Sequence, residues 1–118
     1  MTCPYCGAAA ELVDSKKVYK RSYGLIWCCV NYPACDAYVG VHRGTDVPLG
    51  RMADADLRAW KGRAHALFDP IWRSGRMKRG QAYRWLAREL GLIRDECHIG
   101  MFDVDRCKQV VELMELSK

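Results

Sequence analysis

Four cysteines arranged as two closely spaced pairs are the sequence feature that most constrains the fold of this chain. The first pair lies in CPYCG, from Cys3 to Gly7, and the second lies in WCCVNYPAC, from Trp27 to Cys35. Zinc prefers four soft ligands in a tetrahedron, and one tight turn with C-x-x-C spacing supplies two of them. The spacing therefore predicts a zinc ribbon, a small β fold in which two such turns face one metal ion.

The choice of ligands follows from the same spacing, except at one position. The first turn offers Cys3 and Cys6, and Cys35 belongs to the second turn, where Cys28 and Cys29 compete for the remaining place. Successive side chains of a strand point to opposite sides, so only one of these two can reach the metal. Four cysteines close the coordination shell, whereas a catalytic zinc keeps an open position, so we expect one structural Zn²⁺.

The cysteine content also indicates the compartment. The 118 residues contain seven cysteines, and C-x-x-C spacing in a cytoplasmic protein favours metal binding over disulfides. No apolar run reaches the ~18 residues of a membrane span, and the sequence starts without a basic and then apolar leader. We therefore expect a cytoplasmic protein without a membrane partner.

The hydrophobic period changes along the chain, which predicts an α+β fold. Residues 1–44 are typical of a zinc ribbon with short antiparallel strands, residues 45–53 of a connector, and residues 54–118 of a three-helix unit. The strand candidates are Glu11–Val13, Lys17–Tyr19, Leu25–Val30 and Tyr38–Val41.

Start and stop signals delimit three helices in the C-terminal region. Asp54 can cap the first helix, and Asp69-Pro70 predicts a new cap at which this helix breaks and restarts. The second helix covers about residues 78–90, and Gly91 is suited to a left-handed C-cap. The third helix starts after Asp103 and runs to about residue 116.

The second cysteine turn resembles the four-cysteine zinc ribbons at the C-terminal end of bacterial type I topoisomerases. The segment CVNYPAC, from Cys29 to Cys35, matches their turn in spacing and in its Tyr-Pro pair. This resemblance implies that Cys29 is the fourth ligand and that Cys28 is an extra thiol packed beneath the ribbon. It also implies an association with single-stranded DNA.

Nearly the whole chain resembles a zinc-finger-containing family of small phage and prophage proteins. The segments that carry this resemblance are CPYCG, WCCVNYPAC, CDAYVGVH (35–42), PLG (48–50), LRAWKGRAHALFDPIW (57–72), AYRWLARELG (82–91) and CHIGMFD (97–103). It implies the fold and a phage or prophage origin, and therefore a bacterial host cell, but no mechanism.

Two basic clusters favour nucleic acid as the partner. The formal net charge is +5; one cluster lies in the ribbon among tyrosines, and the other surrounds the start of the second helix, in a stretch without acidic residues. A basic groove with aromatic faces binds phosphates and stacks bases. We therefore predict a non-enzymatic DNA- or RNA-binding protein; solvated surface charge is the alternative reading of both clusters. The predicted binding residues are Lys16, Lys17, Lys20, Arg21, Tyr23, Arg76, Lys78 and Arg79.

The sequence bears on two other functional classes, a protein-interaction module and an enzyme. A protein-interaction module that modulates a host or phage complex is the alternative, because a ribbon can offer a strand edge or an aromatic patch to a protein. No enzyme is expected, since the sequence lacks a phosphate loop, a serine elbow and a paired-carboxylate motif. The remaining candidates for a second metal site or a cysteine–histidine pair are interpreted as core or interface residues: His42, His65, Cys97, His98 and Cys107.

Overall fold

The fold is α+β, as predicted: a three-stranded antiparallel sheet is followed by three long helices. The computed structural model describes residues 1–117, and the chain divides into two compact units. We call Met1–Arg58 the ribbon unit, and the residues from Ala59 onward the helical unit. Within residues 1–117, no helix is long and apolar enough to cross a membrane.

The sheet of the ribbon unit has the order β1-β2-β3. Its strands are β1 (Ala10–Asp14), β2 (Leu25–Cys29) and β3 (Tyr38–Gly40). Because side chains alternate along a strand, the register sorts them into two faces. Leu12 lies opposite Trp27, which lies opposite Val39, and these side chains share what we call the front face. The back face carries Cys28, which lies opposite Glu11 and Tyr38.

The strand predicted at Lys17–Tyr19 is wrong. Residues 15–17 form a single 3₁₀ turn, and the Asp14 carboxylate caps it by accepting a hydrogen bond from the backbone N–H of Lys16 at 2.9 Å. The backbone N–H groups of Val18 and Tyr19 both donate to the Ser15 carbonyl, at 3.0 and 2.9 Å. Local hydrogen bonds of this kind compete with strand pairing, and here they turn the chain back toward β2.

Residues 45–53, interpreted from the sequence as a connector, pair with the sheet of the ribbon unit. Isolated bridges join Val41 to Pro48 and Tyr38 to Ala53. Arg58 holds the end of this segment, because its guanidinium donates to the carbonyl of Ala53 at 2.6 Å and lies 4.2 Å from the centre of the Tyr38 ring. The segment therefore adds buried surface to a sheet that is small on its own.

The helices match the predicted starts and stops, except at Asp69; the first turn of the first helix belongs to the ribbon unit, and the rest of the helices belong to the helical unit. The helices are α1 (Ala55–Phe68), α2 (Pro70–Arg73), α3 (Arg79–Leu90) and α4 (Val104–Leu116). The carboxylate of Asp103 caps α4 by accepting from the Arg106 N–H at 2.9 Å, and Gly91 ends α3 in the left-handed conformation with φ = 71°. The core of this unit includes the Phe68 and Tyr83 rings, whose centroids lie 4.8 Å apart.

Asp69 does not cap α2, contrary to the prediction. Its backbone is helical, and its side chain makes no capping hydrogen bond. Pro70 lacks an N–H donor but fits the first helical turn, so the chain passes from α1 into α2 without leaving the helical region. The buried Asp69 carboxylate lies 3.1 Å from Nδ1 of His65 and 3.8 Å from the guanidinium of Arg73.

Candidate metal centre and nucleic-acid surface

Four cysteine sulfurs converge at one end of the ribbon sheet. The Sγ atoms of Cys3, Cys6, Cys29 and Cys35 all lie within 4.8 Å of one another. Cys3 and Cys35 are separated by 3.6 Å, and Cys6 and Cys29 by 3.4 Å. A tetrahedron with Zn–S bonds of about 2.3 Å has edges of about 3.8 Å. The cluster therefore has the size of a four-thiolate zinc site and can hold one zinc ion, as predicted.

Two tight turns bring these sulfurs together. In the first turn, the Gly7 N–H donates to the Cys3 carbonyl at 3.0 Å, and Gly7 takes the left-handed conformation with φ = 76°. In the second, the Tyr32 N–H donates to the Cys29 carbonyl at 3.0 Å, while the Asn31 N–H points at the Cys29 sulfur at 3.4 Å. Amide groups directed at sulfur stabilise the thiolate, which is the form that binds metal.

Cys28 lies outside the cluster, whereas its neighbour Cys29 lies inside it. In the register of β1 and β2, Cys29 pairs with Ala10 on the front face and Cys28 pairs with Glu11 on the back face. The Cys28 side chain is fully buried, and burial raises the pKa of its thiol. Strand alternation thus decides between the two adjacent cysteines, and Cys28 is a protonated packing residue.

The thiols of the cluster ionise unequally in the absence of metal. The backbone N–H of Ala8 and then the thiol of Cys29 lower the pKa of Cys6 to about 6. The backbone N–H of Ala37 favours a lower pKa for Cys35, but burial and the neighbouring thiols outweigh this effect and raise the pKa of Cys35 to about 12. Several negative charges at this spacing require a cation between them, which zinc supplies when it binds.

An apolar layer covers the inner side of the cluster. Cys3, Ala10, Cys29, Ala37 and Met52 form a buried group, and Trp27 and Val39 pack against it. The indole N–H of Trp27 donates to the Asp46 carbonyl at 2.7 Å, so this ring is fixed in place. Trp27 therefore stabilises the metal centre and is not a free stacking surface.

The basic cluster of the ribbon unit is exposed to solvent, and one of its four cations is paired with a carboxylate. Lys16, Lys20 and Arg21 are exposed and make no ion pair among the described residues. Lys17 instead forms an ion pair with Glu11, at 2.8 Å. Three of the four predicted cations are therefore available to an anionic ligand, and Lys17 is largely neutralised.

Tyr23 is the most open aromatic side chain of the ribbon unit, with 72% of its surface exposed. Its backbone is fixed nonetheless, because its N–H donates to the Ser15 hydroxyl at 2.7 Å. The rings of Tyr23 and Tyr19 pack edge to face, with their centroids 5.6 Å apart. The Tyr19 hydroxyl lies 3.0 Å from the Tyr38 hydroxyl. Tyr23 is thus an open ring on a well-anchored loop.

A groove of about 1000 Å³ runs beside Tyr23, and we call it the ribbon groove. Its walls are Leu12, Tyr23, Gly24, Leu25, Val41, Arg43, Gly44, Thr45 and Asp46. Neither this groove nor the role of Arg43 in its wall was predicted from the sequence. Alternation along β1 and β2 places Leu12 and Leu25 on the front face, so strand periodicity was the one signal that could have found them.

The remaining predicted binding residues, Arg76, Lys78 and Arg79, are exposed in the helical unit. Lys78 directly precedes α3, and the backbone N–H of Lys78 already donates a hydrogen bond to the side-chain oxygen of Gln81, at 3.1 Å. The guanidinium of Arg79 lies over the Tyr83 ring at 4.9 Å. The start of α3 therefore offers basic side chains, but one of its backbone donors is already occupied.

The cysteine and histidine residues of the helical unit are not arranged as an activated pair. Cys97 and Cys107 are fully buried, whereas His98 is exposed. Burial raises the pKa of Cys107 to about 11 and also raises the pKa of Cys97. A nucleophilic cysteine needs a lowered pKa, so both thiols have the properties of core residues.

Comparison with known proteins agrees with this metal centre. A family model described as a zinc-finger-containing domain matches residues 1–117. Neither the curated proteins nor the solved structures gave a match. Since the match extends over the whole described chain and the four clustered cysteines supply the expected ligands, the protein belongs to this zinc-finger-containing family.

Proposed function

We propose that this protein binds single-stranded nucleic acid, DNA or RNA, through the ribbon unit and without catalysing a reaction. One observation carries the proposal: Tyr23, with 72% of its surface exposed, stands on the wall of the ribbon groove together with Arg43. An open aromatic ring, an apolar floor and a cation in one groove are the elements that stack a base and hold its phosphate.

Stacking supplies the part of the affinity that does not depend on charge. The backbone of Tyr23 is fixed by its hydrogen bond to Ser15 and its ring contacts the Tyr19 ring, so less conformational entropy is lost when a base covers the ring. Each base stacked on an aromatic side chain contributes about 1–3 kcal/mol. Leu12 and Leu25 extend the apolar wall beside this ring. A single strand has unpaired bases that are free to stack on the ring, whereas the bases of a duplex are already stacked on one another.

Attraction between basic side chains and the phosphates of the nucleic acid supplies the rest of the affinity. Lys16, Lys20, Arg21 and Arg43 are exposed side chains of the ribbon unit. If all four side chains contact phosphates, the logarithm of the association constant for a single strand falls with the logarithm of the salt concentration at a slope of about −3. Strong salt dependence is therefore part of the proposal.

The metal has a structural role in this proposal. Four thiolates fill the tetrahedral shell of zinc and leave no position for water or substrate. The buried thiols of Cys97 and Cys107, whose pKa values are raised, are unsuited to nucleophilic catalysis. Both observations support a binding protein over an enzyme.

The proposal also includes an origin and a location. A zinc site made of four thiolates requires reduced cysteines, which favours the cytoplasm, here that of a bacterial host. Phage or prophage origin rests on the sequence resemblance to small proteins of that source.

Fluorescence anisotropy with labelled single-stranded DNA, RNA and duplex DNA tests the proposal on the zinc-loaded protein. We expect binding of a single strand at ~50 mM salt and micromolar protein, weaker binding of the duplex, and a steep loss of affinity as salt is added. Lys20→Glu should weaken binding several-fold, while the same charge change at Lys108, on α4, should have little effect. Absence of binding to all three nucleic acids under these conditions would refute the proposal.

A further inference from the structure

The helical unit has a groove of its own, independent of the ribbon groove and of the function proposed for it. We call it the helical groove; its volume is about 490 Å³. Its lining residues are Leu67, Pro70, Ile71, Arg76, Met77, Trp85, Met114 and Ser117. Six of these eight side chains are apolar, and most of them are only half-buried, so the groove presents apolar surface to solvent.

The local fold explains why this surface stays open. The chain leaves α2 through Gly75, whose φ of 83° requires the freedom of glycine. The Met77 N–H then donates to the Ile71 carbonyl at 3.3 Å, which holds the Met77 backbone beside α2. Trp85 on α3 and Met114 on α4 complete the walls. The groove is thus built by fixed elements of one compact unit.

Positive charge is concentrated in the segment of the chain that contributes Arg76, Met77 and Trp85 to the groove. From residue 70 to residue 88 the chain has no acidic residue. Arg76, which lines the groove, and Lys78, Arg84 and Arg88 are exposed and form no ion pair among the described residues. The nearest acidic residue before this stretch, Asp69, is buried and already lies against His65 and Arg73. Arg76 and these neighbouring cations are therefore available to the carboxylates of a ligand.

We propose that the helical groove binds an acidic amphipathic helix of a partner protein. Such a helix has apolar residues at i, i+3, i+4 and i+7, which would enter the groove, and acidic residues on its flanks, which would meet the arginines. Met77 and Met114 provide a flexible, polarisable floor that adapts to different side chains, and Trp85 provides a large anchor.

The composition of the floor favours a peptide over a nucleic acid. Leu67, Ile71 and the two methionines are aliphatic or thioether side chains, which suit branched apolar side chains better than flat bases. The one aromatic wall, Trp85, is half-buried, in contrast to the open Tyr23 ring of the ribbon groove. The two grooves are therefore suited to different classes of ligand.

The probe for this proposal is a fluorescein-labelled synthetic helix of about 16 residues, with leucines at the four anchor positions and glutamates on its flanks. One control peptide has the same composition in a scrambled order, and a second has lysine in place of glutamate. We expect the acidic amphipathic peptide to bind the full zinc-loaded protein at least ~10-fold more tightly than either control. Equal binding of the scrambled peptide, or no binding of the acidic one at ~0.5 mM protein, would overturn the proposal.

Variants and methyl NMR locate the binding site. Arg76→Glu and Met77→Glu should each weaken binding of the acidic peptide at least ~5-fold, whereas Lys108→Glu should not. In the unmodified protein, the methyl signals of Met77 and Met114 should shift as the peptide is added, which keeps the test valid if a variant misfolds. The assignment of this groove to a peptide would be contradicted if the methionine signals did not move. It would also be contradicted if Arg76→Glu abolished the binding of single-stranded DNA while Lys20→Glu had no effect on that binding.

Discussion

Replacing each of the adjacent residues Cys28 and Cys29 by alanine separates a metal ligand from a packing residue. The Cys29 sulfur lies 3.4 Å from that of Cys6, inside the cluster, whereas Cys28 lies on the opposite face of the sheet. We therefore expect Cys29→Ala to lose tight zinc binding and Cys28→Ala to keep it.

The expected magnitudes differ by enough to be measured easily. The apparent free energy of zinc binding to a structural site is about 10–16 kcal/mol, so one of four thiolates accounts for about 3 kcal/mol, or more than 100-fold in affinity. Cys28→Ala removes one sulfur from a fully buried position, which costs on the order of 1 kcal/mol of packing and leaves the cluster complete.

Competition with a chromophoric chelator gives the zinc affinity, and metal analysis gives the stoichiometry. Substitution of cobalt for zinc adds an independent readout, because the intensity of the charge-transfer absorption reports the number of bound thiolates. The reasoning from strand alternation would be refuted if Cys28→Ala lost zinc or cobalt–thiolate absorption and Cys29→Ala retained both.

Three further predictions concern stability. Complete chelation of the metal should unfold the ribbon unit, because its core is too small to fold alone; unchanged amide dispersion for residues 1–58 would contradict this. Gly91→Ala should lower the free energy of unfolding by about 1–2 kcal/mol, since residue 91 has φ = 71°, and urea denaturation with an unchanged midpoint would argue against that strain. Burial raises the pKa of the Cys107 thiol from 9.0 to about 11, so the folded state keeps a proton that the unfolded chain releases. The stabilisation from this buried protonated thiol is complete below pH 9 and is lost as the pH rises toward 11, by about 1.4 kcal/mol per pH unit. Cys107→Ala should therefore flatten the alkaline decline of the free energy of unfolding measured by denaturation. Equal slopes for the variant and the unmodified protein would show that the thiol does not contribute.

The elements governed by local chemistry could be predicted from the sequence. Zinc fixes both the type and the spacing of its ligands, so the cysteine turns could be recognised without coordinates. Caps likewise act within one helical turn, which is why Asp103 and Gly91 delimit their helices as expected. Asp69 departs from its pattern because Pro70 fits a continuing helix and because the carboxylate lies against the His65 ring and the Arg73 guanidinium instead of the helix start.

Features that depend on strand register could not be predicted from spacing alone. Cys28 and Cys29 differ only in the face that each occupies, and the pairing of Cys29 with Ala10 decides this. The ribbon groove is built from residues far apart in the chain, such as Leu12 and Val41, so it exists only once the strands are paired. The false strand at 17–19 has a related origin, because its residue types favour β structure while Asp14 and Ser15 hold a turn.

The central claim, that the ribbon unit stacks a base on Tyr23, is tested most directly by the affinity of Tyr23 variants for a labelled oligothymidine. The Tyr23 ring is largely exposed, so its replacement should leave the fold intact, which zinc stoichiometry and circular dichroism can verify. We expect Tyr23→Phe to bind like the unmodified protein and Tyr23→Ala to bind about 5- to 150-fold more weakly, the equivalent of about 1–3 kcal/mol for one stacked base. Equal affinity of Tyr23→Ala and the unmodified protein at low salt would contradict the claim.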